Sequence, residues 1–480
     1  MTKKILMVTA AFAVLTLVGT AVAHDELPQE LRDALPMLSD GSTPVLIGSE
    51  EDVHSENMGL VGNTDDPGPD GKARYRMGTD LAFWGDLAVA GNYDFPGGFR
   101  LISIADPTKP TVVGQFACKG PQSDVSVWRD LAFVSVDSPM DGPECGAATL
   151  GQTNPDVLDG KAFEGIRVVS IADRANPRQV KFVDTPCGSH THTLVPDEAN
   201  KRVLIYVLSY PLGGQSASDC NAQKHRKISV VEVPLQNPDL ARVISTPDVS
   251  PAIGCHDVTV LVPGKLAGAA CLTESQLWDI SDPANPKVVS HIVNPAINIH
   301  HSTTFSYDGR TLAIGDELGG AAASPGCADN GDQHVPLGAI WFYDVSNPAL
   351  PVPKGTFSIP QQETTIGCTA HNFNTVPLST ERDVLVSGWY NGGVTAVDFS
   401  DPSHPKQLGH YTAKEPVANV WSGYWYRGFI YANNFDTAID TSNPNGTSRG
   451  FDSFVLADPD LKKNAIKLRR LNPQTMEPLK

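Results

Sequence analysis

The histidines of this chain fall in short stretches where polar and apolar residues alternate. The stretch "CGSHTHTLVPD" (187–197) carries His190 and His192 two positions apart, so both rings are expected on one face of a strand. Imidazole is the commonest metal ligand in proteins, and three or four neutral imidazoles can hold Zn, Cu, Fe or Ni. Such chemistry requires that other histidines converge on the same point, and this depends on the elements that carry them.

Composition restricts the class of protein. The chain has 480 residues, with 42 glycines and 38 prolines, so turns are plentiful and a mostly β structure is expected. A net charge of -18 repels phosphates and argues against nucleic acid as a partner. The sequence contains no GxSxG elbow, Walker loop, HExxH motif or strand-linked GxGxxG motif, which removes most support for hydrolase and nucleotide chemistry.

The first residues resemble an export signal. Lys3 and Lys4 precede an apolar run that ends in the small-residue pattern Ala21, Val22, Ala23. This pattern predicts a signal peptide cleaved near Ala23 and a secreted or periplasmic protein. No later apolar segment is long enough for a membrane span, so none is expected.

One sequence unit recurs along the chain. It comprises a β-rich run, an Asp-Pro or Asn-Pro turn and a second run, as in "FRLISIADPTKPTVVGQF" (99–116) and "VTAVDFSDPSHPKQLGHY" (394–411). A second piece, strand-turn-strand, lies between the copies, so each unit supplies four strands. Seven such units predict an all-β fold, a seven-bladed β-propeller. The seventh unit lacks its last strand, and "NMGLVGN" (57–63) is expected to complete it and close the ring.

These features also set the predicted boundaries. We expect a signal peptide over 1–23, an N-terminal extension over 24–50, the propeller over 51–460 and a C-terminal tail over 461–480. The tail follows the last blade and is basic, so we expect a loose terminus.

Several stretches of the sequence resemble a known family. Among them are "TDLAFWGDLAVAGNYDFPGGFRLISIADPTKP", "GDELGG" and "WYNGGVTAVDFSDPSHP". The chain resembles the secreted bacterial LVIVD-repeat proteins, which are expected to be propellers named after this strand motif. The resemblance covers nearly the whole mature chain. It supports the fold and implies little about activity.

Eight cysteines in an exported chain predict disulfides. One group precedes first strands and the other lies near the connection between second and third strands, and in a propeller both positions emerge on one face. The predicted pairs are Cys118–Cys145, Cys187–Cys220, Cys255–Cys271 and Cys327–Cys368. Thiolate ligation of a metal is the alternative, but no CxxC motif occurs.

Alignment of the first strands produces a polar column. It reads Asp80, Asp124, His190, His256, His301, His371 and Trp421. First strands line the axis of a propeller, so these residues are expected at one level of the central channel. The proposed metal ligands are His190, His256, His301 and His371, with Asp80 and Asp124 as outer partners.

Other interpretations of this column remain open. Polar side chains at strand tips can simply line a wet channel, and a slip in the alignment would let His192 or His300 replace its neighbour. Four axial histidines also resemble the iron site of carotenoid-cleaving oxygenases and the copper site of the selenium-binding group, by fold-level analogy. Asp316 and Glu317 start a connection near the same rim and are a candidate general base or a hydrogen-bonded turn.

The sequence therefore supports two functions. The first is an exported propeller that binds a divalent transition metal (Cu, Fe or Zn) and acts as an oxidoreductase on a small molecule. The alternative is a non-catalytic module whose disulfide-stiffened rim binds a protein or glycan. Long insertions at 135–165 and 210–227 suit that alternative.

Overall fold

The computed structural model describes residues 28–64, 77–93, 97–211, 220–221, 225–317, 337–360, 369–414, 418–435 and 449–479. Within these ranges almost all regular structure is β-strand, as predicted. Three short α-helices occur: α1 (Gln29–Ala34), α2 (Pro155–Leu158) and α3 (Pro459–Asn464). None of the described helices is long and apolar enough to cross a bilayer. The predicted signal peptide lies outside the described residues.

The described strands lie in six hydrogen-bonded sheets, one of which has nine strands, and successive antiparallel strands within these sheets form repeated units of four. Two strands precede the first unit, β1 (Val53–His54) and β2 (Met58–Thr64). The first three units are β3 (Gly78–Trp84), β4 (Leu87–Asn92), β5 (Phe99–Ser103) and β6 (Thr111–Phe116); β7 (Val125–Trp128), β8 (Leu131–Met140), β9 (Phe163–Ser170) and β10 (Arg178–Asp184); β11 (Thr191–Asp197), β12 (Arg202–Leu208), β13 (Ser229–Pro234) and β14 (Arg242–Ser245).

The next three units and the partial seventh follow the same order. They are β15 (Asp257–Leu261), β16 (Leu266–Ala270), β17 (Ser275–Asp279) and β18 (Lys287–Ile292); β19 (His300–Phe305), β20 (Thr311–Asp316), β21 (Ile340–Asp344) and β22 (Val352–Phe357); β23 (Thr369–Thr375), β24 (Val384–Tyr390), β25 (Gly393–Asp398) and β26 (Lys406–Thr412); β27 (Val420–Tyr426), β28 (Phe429–Asn434) and β29 (Phe451–Leu456). Two short strands end the chain, β30 (Arg470–Leu471) and β31 (Thr475–Met476).

Five of the recurring proline turns are Asx turns, whereas Asn237 in the third unit makes no such side-chain bond. In these five, the side-chain oxygen of the Asp or Asn accepts a hydrogen bond from the backbone N–H two residues later. The pairs are Asp106 with Thr108, Asp173 with Ala175, Asp282 with Ala284, Asn347 with Ala349, and Asp401 with Ser403, at 3.0–3.2 Å. This bond fixes the link between the third and fourth strands of a unit, which explains why the motif recurs once per unit.

The units close into a ring. The first strand of each unit contacts the first strand of the next, and β27 contacts β3, so the seventh unit meets the first. Strand β2 pairs antiparallel with β29, from Met58 opposite Leu456 to Thr64 opposite Phe451. The predicted completion of the last unit by an N-terminal strand is therefore confirmed.

Hydroxyl groups join the inner strands across unit boundaries. Thr259 Oγ1 donates to the carbonyl of Thr303 at 2.5 Å, Ser302 Oγ to that of His371 at 2.9 Å, and Thr375 Oγ1 to that of Phe305 at 2.6 Å. Each bond gives a buried hydroxyl a partner on the neighbouring unit. The threonine-rich inner strands thus set the spacing of the residues that line the axis.

The C-terminal tail is not the loose terminus that its composition suggests. Strand β30 pairs with β3, and β31 pairs in parallel with β15. Between them, the Asn472 amide bonds both the N–H and the C=O of Val127, at 2.8 and 3.0 Å. The tail thus satisfies backbone groups at the C-terminal ends of the inner strands, opposite the ends where the predicted histidines lie.

Three of the predicted cysteine pairs form disulfides. They are Cys118–Cys145, Cys187–Cys220 and Cys255–Cys271. Cys327 and Cys368 lie outside the described residues. Each observed bridge links the segment before a first strand to a connection that emerges on the same face.

Candidate metal centre

Four histidines from four consecutive units meet at one end of the axis. His190 and His256 directly precede β11 and β15, whereas His301 and His371 lie near the starts of β19 and β23. Neighbouring ring centroids are 4.6 Å apart for His190 and His256, 3.9 Å for His256 and His301, and 4.3 Å for His301 and His371. The structure therefore brings together the four proposed ligands.

Hydrogen bonds fix two of the four rings. Asp137 Oδ2 lies 2.9 Å from Nδ1 of His190, and the backbone carbonyl of Trp421 lies 2.6 Å from Nδ1 of His371. Both partners are acceptors. In the neutral rings each Nδ1 therefore carries the proton, and each Nε2 carries the lone pair that a metal would bind. This is how carboxylates and carbonyls orient histidine ligands in metal sites.

The facing nitrogens have a spacing that suits a shared metal. Nε2 of His190 and Nε2 of His256 are 3.0 Å apart. This is a hydrogen-bond distance between the two rings. Two nitrogens each about 2.1 Å from one tetrahedral metal would be about 3.4 Å apart. The two nitrogens are therefore within a few tenths of an ångström of the spacing that a shared metal requires.

Several polar atoms of the cluster have no hydrogen-bond partner among the described residues. They are Nδ1 of His256, both ring nitrogens of His301, Nε2 of His371 and Oδ2 of Asp257. Buried polar atoms normally have hydrogen-bond partners, because leaving them unpaired costs about 1–3 kcal/mol each. A cation held by these atoms would remove that cost, so the donor set fits a metal.

The buried rings are neutral. Burial, followed by the neighbouring histidines, lowers the pKa of His301 well below its ordinary value. Burial is also the largest cause that lowers the pKa of His256 and of His371. Metal ligation requires the neutral imidazole, so these three rings are ready to bind a metal at pH 7.

A carboxyl group lies against the histidines on one side. Glu317 Oε2 is 3.6 Å from Nε2 of His301, and its Oε1 is 3.6 Å from Nε2 of His371. His256, Asp257 and His301 form a second group, and in each of these two triads the ligand atoms lie within 4.8 Å of one another. Burial, and then the charge of Asp257, raises the pKa of Glu317 to about 8, so a nearby cation would favour its charged form.

Aromatic side chains enclose the cluster. Tyr210 contacts His190, with ring centroids 5.1 Å apart, whereas Tyr390 and Trp421 each lie 4.5 Å from the ring of His371. The Tyr390 hydroxyl also hydrogen-bonds Glu317. These rings reduce the local dielectric around the histidines.

The secondary histidine candidates lie elsewhere. His192 has both ring nitrogens occupied, by Ser126 Oγ at 2.7 Å and Ser135 Oγ at 2.9 Å. His300 is fully buried, and its Nδ1 is 2.8 Å from Ser275 Oγ in the neighbouring unit. Neither ring belongs to the two groups of candidate metal ligands among the described residues.

The two aspartates of the column form a separate pair deeper in the channel. Asp80 accepts hydrogen bonds from Ser422 at 2.7 Å, from Tyr424, and from Gln474 of the tail at 2.9 Å. Asp124 accepts the backbone N–H of His192 at 2.8 Å and shares a hydrogen bond with Asp80. The partner of His190 is instead Asp137, near the end of β8, which the column did not include.

Comparison with protein families identifies the repeat. The family model of the LVIVD repeat matches residues 382–413, which contain strands β24, β25 and β26. The chain therefore contains an LVIVD repeat within a β-propeller fold. No curated protein matches the chain.

Solved structures resemble the LVIVD-repeat protein at low identity. The periplasmic gluconolactonase of Pseudomonas aeruginosa is 14% identical over 82% of this chain and 96% of its own, with a TM-score of 0.48. A protein from Lactobacillus plantarum is 14% identical over 78% and 99%, with a TM-score of 0.48. A hypothetical selenium-binding protein from Sulfolobus tokodaii is 11% identical over 74% and 81%, with a TM-score of 0.41.

Proposed function

We propose that this protein is exported and binds one divalent transition metal ion, Cu, Fe or Zn, through His190, His256, His301 and His371. The observation that carries the proposal is the convergence of these four rings from four separate units. Buried nitrogens of His256, His301 and His371 have no hydrogen-bond partner among the described residues. A shared metal would give those nitrogens the partner that no described side chain supplies at hydrogen-bond distance.

The surroundings of the site favour reaction with a small molecule. Glu317 is adjacent to two of the proposed ligands and hydrogen-bonds Tyr390, so it is placed to accept or return a proton at the edge of the cluster. His190 is the most accessible of the four rings, with 12% of its side chain exposed, so a substrate would approach from its side. A bound metal would supply Lewis acidity or redox chemistry, and we propose an oxidoreductase acting on a small oxidisable compound.

Metal analysis tests the proposal. Protein expressed without a histidine tag and supplied with Cu, Fe and Zn should retain one metal per chain, measured by mass spectrometry. The double variant His256→Ala/His301→Ala should lose it, whereas a control double variant of two exposed histidines, His54→Ala/His404→Ala, should keep it.

Two results would overturn the proposal. One is metal-free protein with a cooperative melt, and the other is full metal content in the His256→Ala/His301→Ala protein. Circular dichroism and a disulfide count on each variant show that it is folded. Metal-free, folded protein would instead support the alternative, a binding module.

A further inference from the structure

A cavity lies in the seventh unit, at the end opposite to the one where the histidines cluster. Its volume is about 210 Å³, and it forms where the N-terminal segment and helix α3 cover the turn between β27 and β28. The two chain ends thus build a site that none of the repeated units contains. The lining residues on which the argument rests are Trp425, Leu461, Ala465, Arg427, Lys462 and Lys467.

The inner walls of the cavity are mostly apolar. Leu461 and Ala465 are four residues apart, at the start of α3 and just beyond its end, and they form one side. Met37, which is 54% exposed, lines the cavity towards solvent. Trp425 forms another wall, and its buried Nε1–H has no acceptor among the described residues. A hydrocarbon chain would replace water against these surfaces, which is favourable because apolar area is removed from water.

The rim of the cavity is cationic. Arg427, Lys462 and Lys467 line it, in a chain whose net charge is -18. Arg427 is bound by Asp86 at 2.5 Å, and Lys462 donates to the backbone carbonyl of Asp33 at 2.5 Å. Lys467 has no hydrogen bond or ion pair with any described residue. The rim therefore carries a positive charge, that of Lys467, which no described residue neutralises beside the apolar cavity.

The size of the cavity limits its ligand. A volume of 210 Å³ corresponds to about seven water molecules and lies below the roughly 300–1,000 Å³ of pockets for drug-sized molecules. A long lipid chain would not fit, whereas a short chain of several carbons would.

We propose that this cavity binds a short-chain aliphatic carboxylate. The hydrocarbon part packs against Leu461, Ala465 and Trp425, and the carboxylate lies at the rim beside Lys467 and Lys462. This site is independent of the axial histidines and of any metal that they bind.

Calorimetric titration with sodium hexanoate tests the proposal on the full chain. We expect saturable binding of one hexanoate per chain. 1-Hexanol has the same chain without the charge and should bind at least about tenfold more weakly, because it cannot form charge-assisted hydrogen bonds with the lysines. The variant Lys462→Glu/Lys467→Glu should weaken hexanoate binding by about tenfold or more, since both charges become repulsive.

Two variants separate binding from folding. Lys463→Glu changes a neighbouring exposed lysine that does not line the cavity, so it should bind hexanoate like the unaltered protein. Lys467→Gln removes one exposed charge at a position with no structural partner among the described residues, and it should weaken binding while leaving the melting temperature unchanged. Absence of saturable binding, equal binding of 1-hexanol, or equal losses in Lys463→Glu and Lys467→Gln would overturn the proposal.

Discussion

At the residue scale, His190 and His192 show how neighbouring hydroxyl and carboxyl groups decide the role of an imidazole. The two residues are two positions apart, yet His190 is oriented by Asp137 with Nε2 towards His256, whereas serines bind both nitrogens of His192. A ring with both nitrogens occupied is not available to a metal without breaking a buried hydrogen bond. Sequence alternation cannot distinguish these cases, because the serines lie on another unit.

The buried pair Asp80 and Asp124 predicts a pH dependence of stability. Burial, and then the charge of Asp124, raises the pKa of Asp80 from 3.8 to about 8. The folded chain therefore holds a proton that the unfolded chain releases above pH 4. The stabilising contribution of this proton is fully present below about pH 4 and is lost as the pH rises towards 8.

We therefore expect Asp80→Asn to flatten the fall in the free energy of unfolding between pH 5 and pH 8. The asparagine carries no titrating proton, and its carbonyl can still accept from Ser422 and Tyr424. Urea denaturation at pH 5, 6.5 and 8 measures the slope, with the exposed Glu381→Gln as the control. Equal slopes for Asp80→Asn and the unaltered protein would contradict the assignment.

The four clustered histidines were predictable because each occupies the same position of a repeated strand. Asp137 was not, since it lies near the end of a second strand, where no repeat pattern marks it. Glu317 directly follows β20, and sequence suggested it only as one of two acids in a turn. Its neighbour Asp316 makes that turn, accepting backbone N–H groups from Asn298, Ile299 and Gly338 at 3.0–3.2 Å.

At the scale of elements, the disulfides were predictable and the tail was not. The cysteines recur at equivalent positions of the units, so fold geometry selects the pairs. The tail pairs through two strands of two residues each, and its main anchor is a single amide, that of Asn472. Segments this short have no periodicity from which pairing can be inferred.

The disulfide beside the histidines should affect both stability and metal binding. Cys255 precedes His256, and its bridge to Cys271 spans 16 residues, whereas Cys118–Cys145 spans 27. Removing either bridge with paired Cys→Ser changes should lower the free energy of unfolding by about 3–4 kcal/mol. Only Cys255→Ser/Cys271→Ser should also weaken metal binding, because it loosens the segment that positions a ligand.

Denaturant unfolding and metal competition with a chelator measure the two effects separately. The Cys118→Ser/Cys145→Ser protein is the matched control, since no proposed ligand directly follows either cysteine. Equal metal affinities in both double variants would show that the Cys255–Cys271 bridge does not position His256.

At the scale of the whole molecule, closure of the ring makes the axial site possible. Each proposed ligand comes from a different unit, so the spacing of the four rings depends on every interface between them. The N-terminal segment contributes to this closure twice, because β1 pairs with β26 of the sixth unit and β2 pairs with β29 of the seventh. Repetition in the sequence predicted this closure, since the seventh copy is one strand short.

A chain that starts at residue 65 should therefore open at the seventh unit. It leaves the edge of β29 unpaired, and exposed edges of this kind promote association. We expect a lower and broader calorimetric transition and a larger mass by light scattering. A peptide of residues 50–64 added in trans should restore both, because it supplies the missing strand. The same peptide with Leu60→Asp should fail, since Leu60 is buried in the full chain. A truncated chain that stays monomeric and as stable as the full chain would contradict this role of the N-terminal strand.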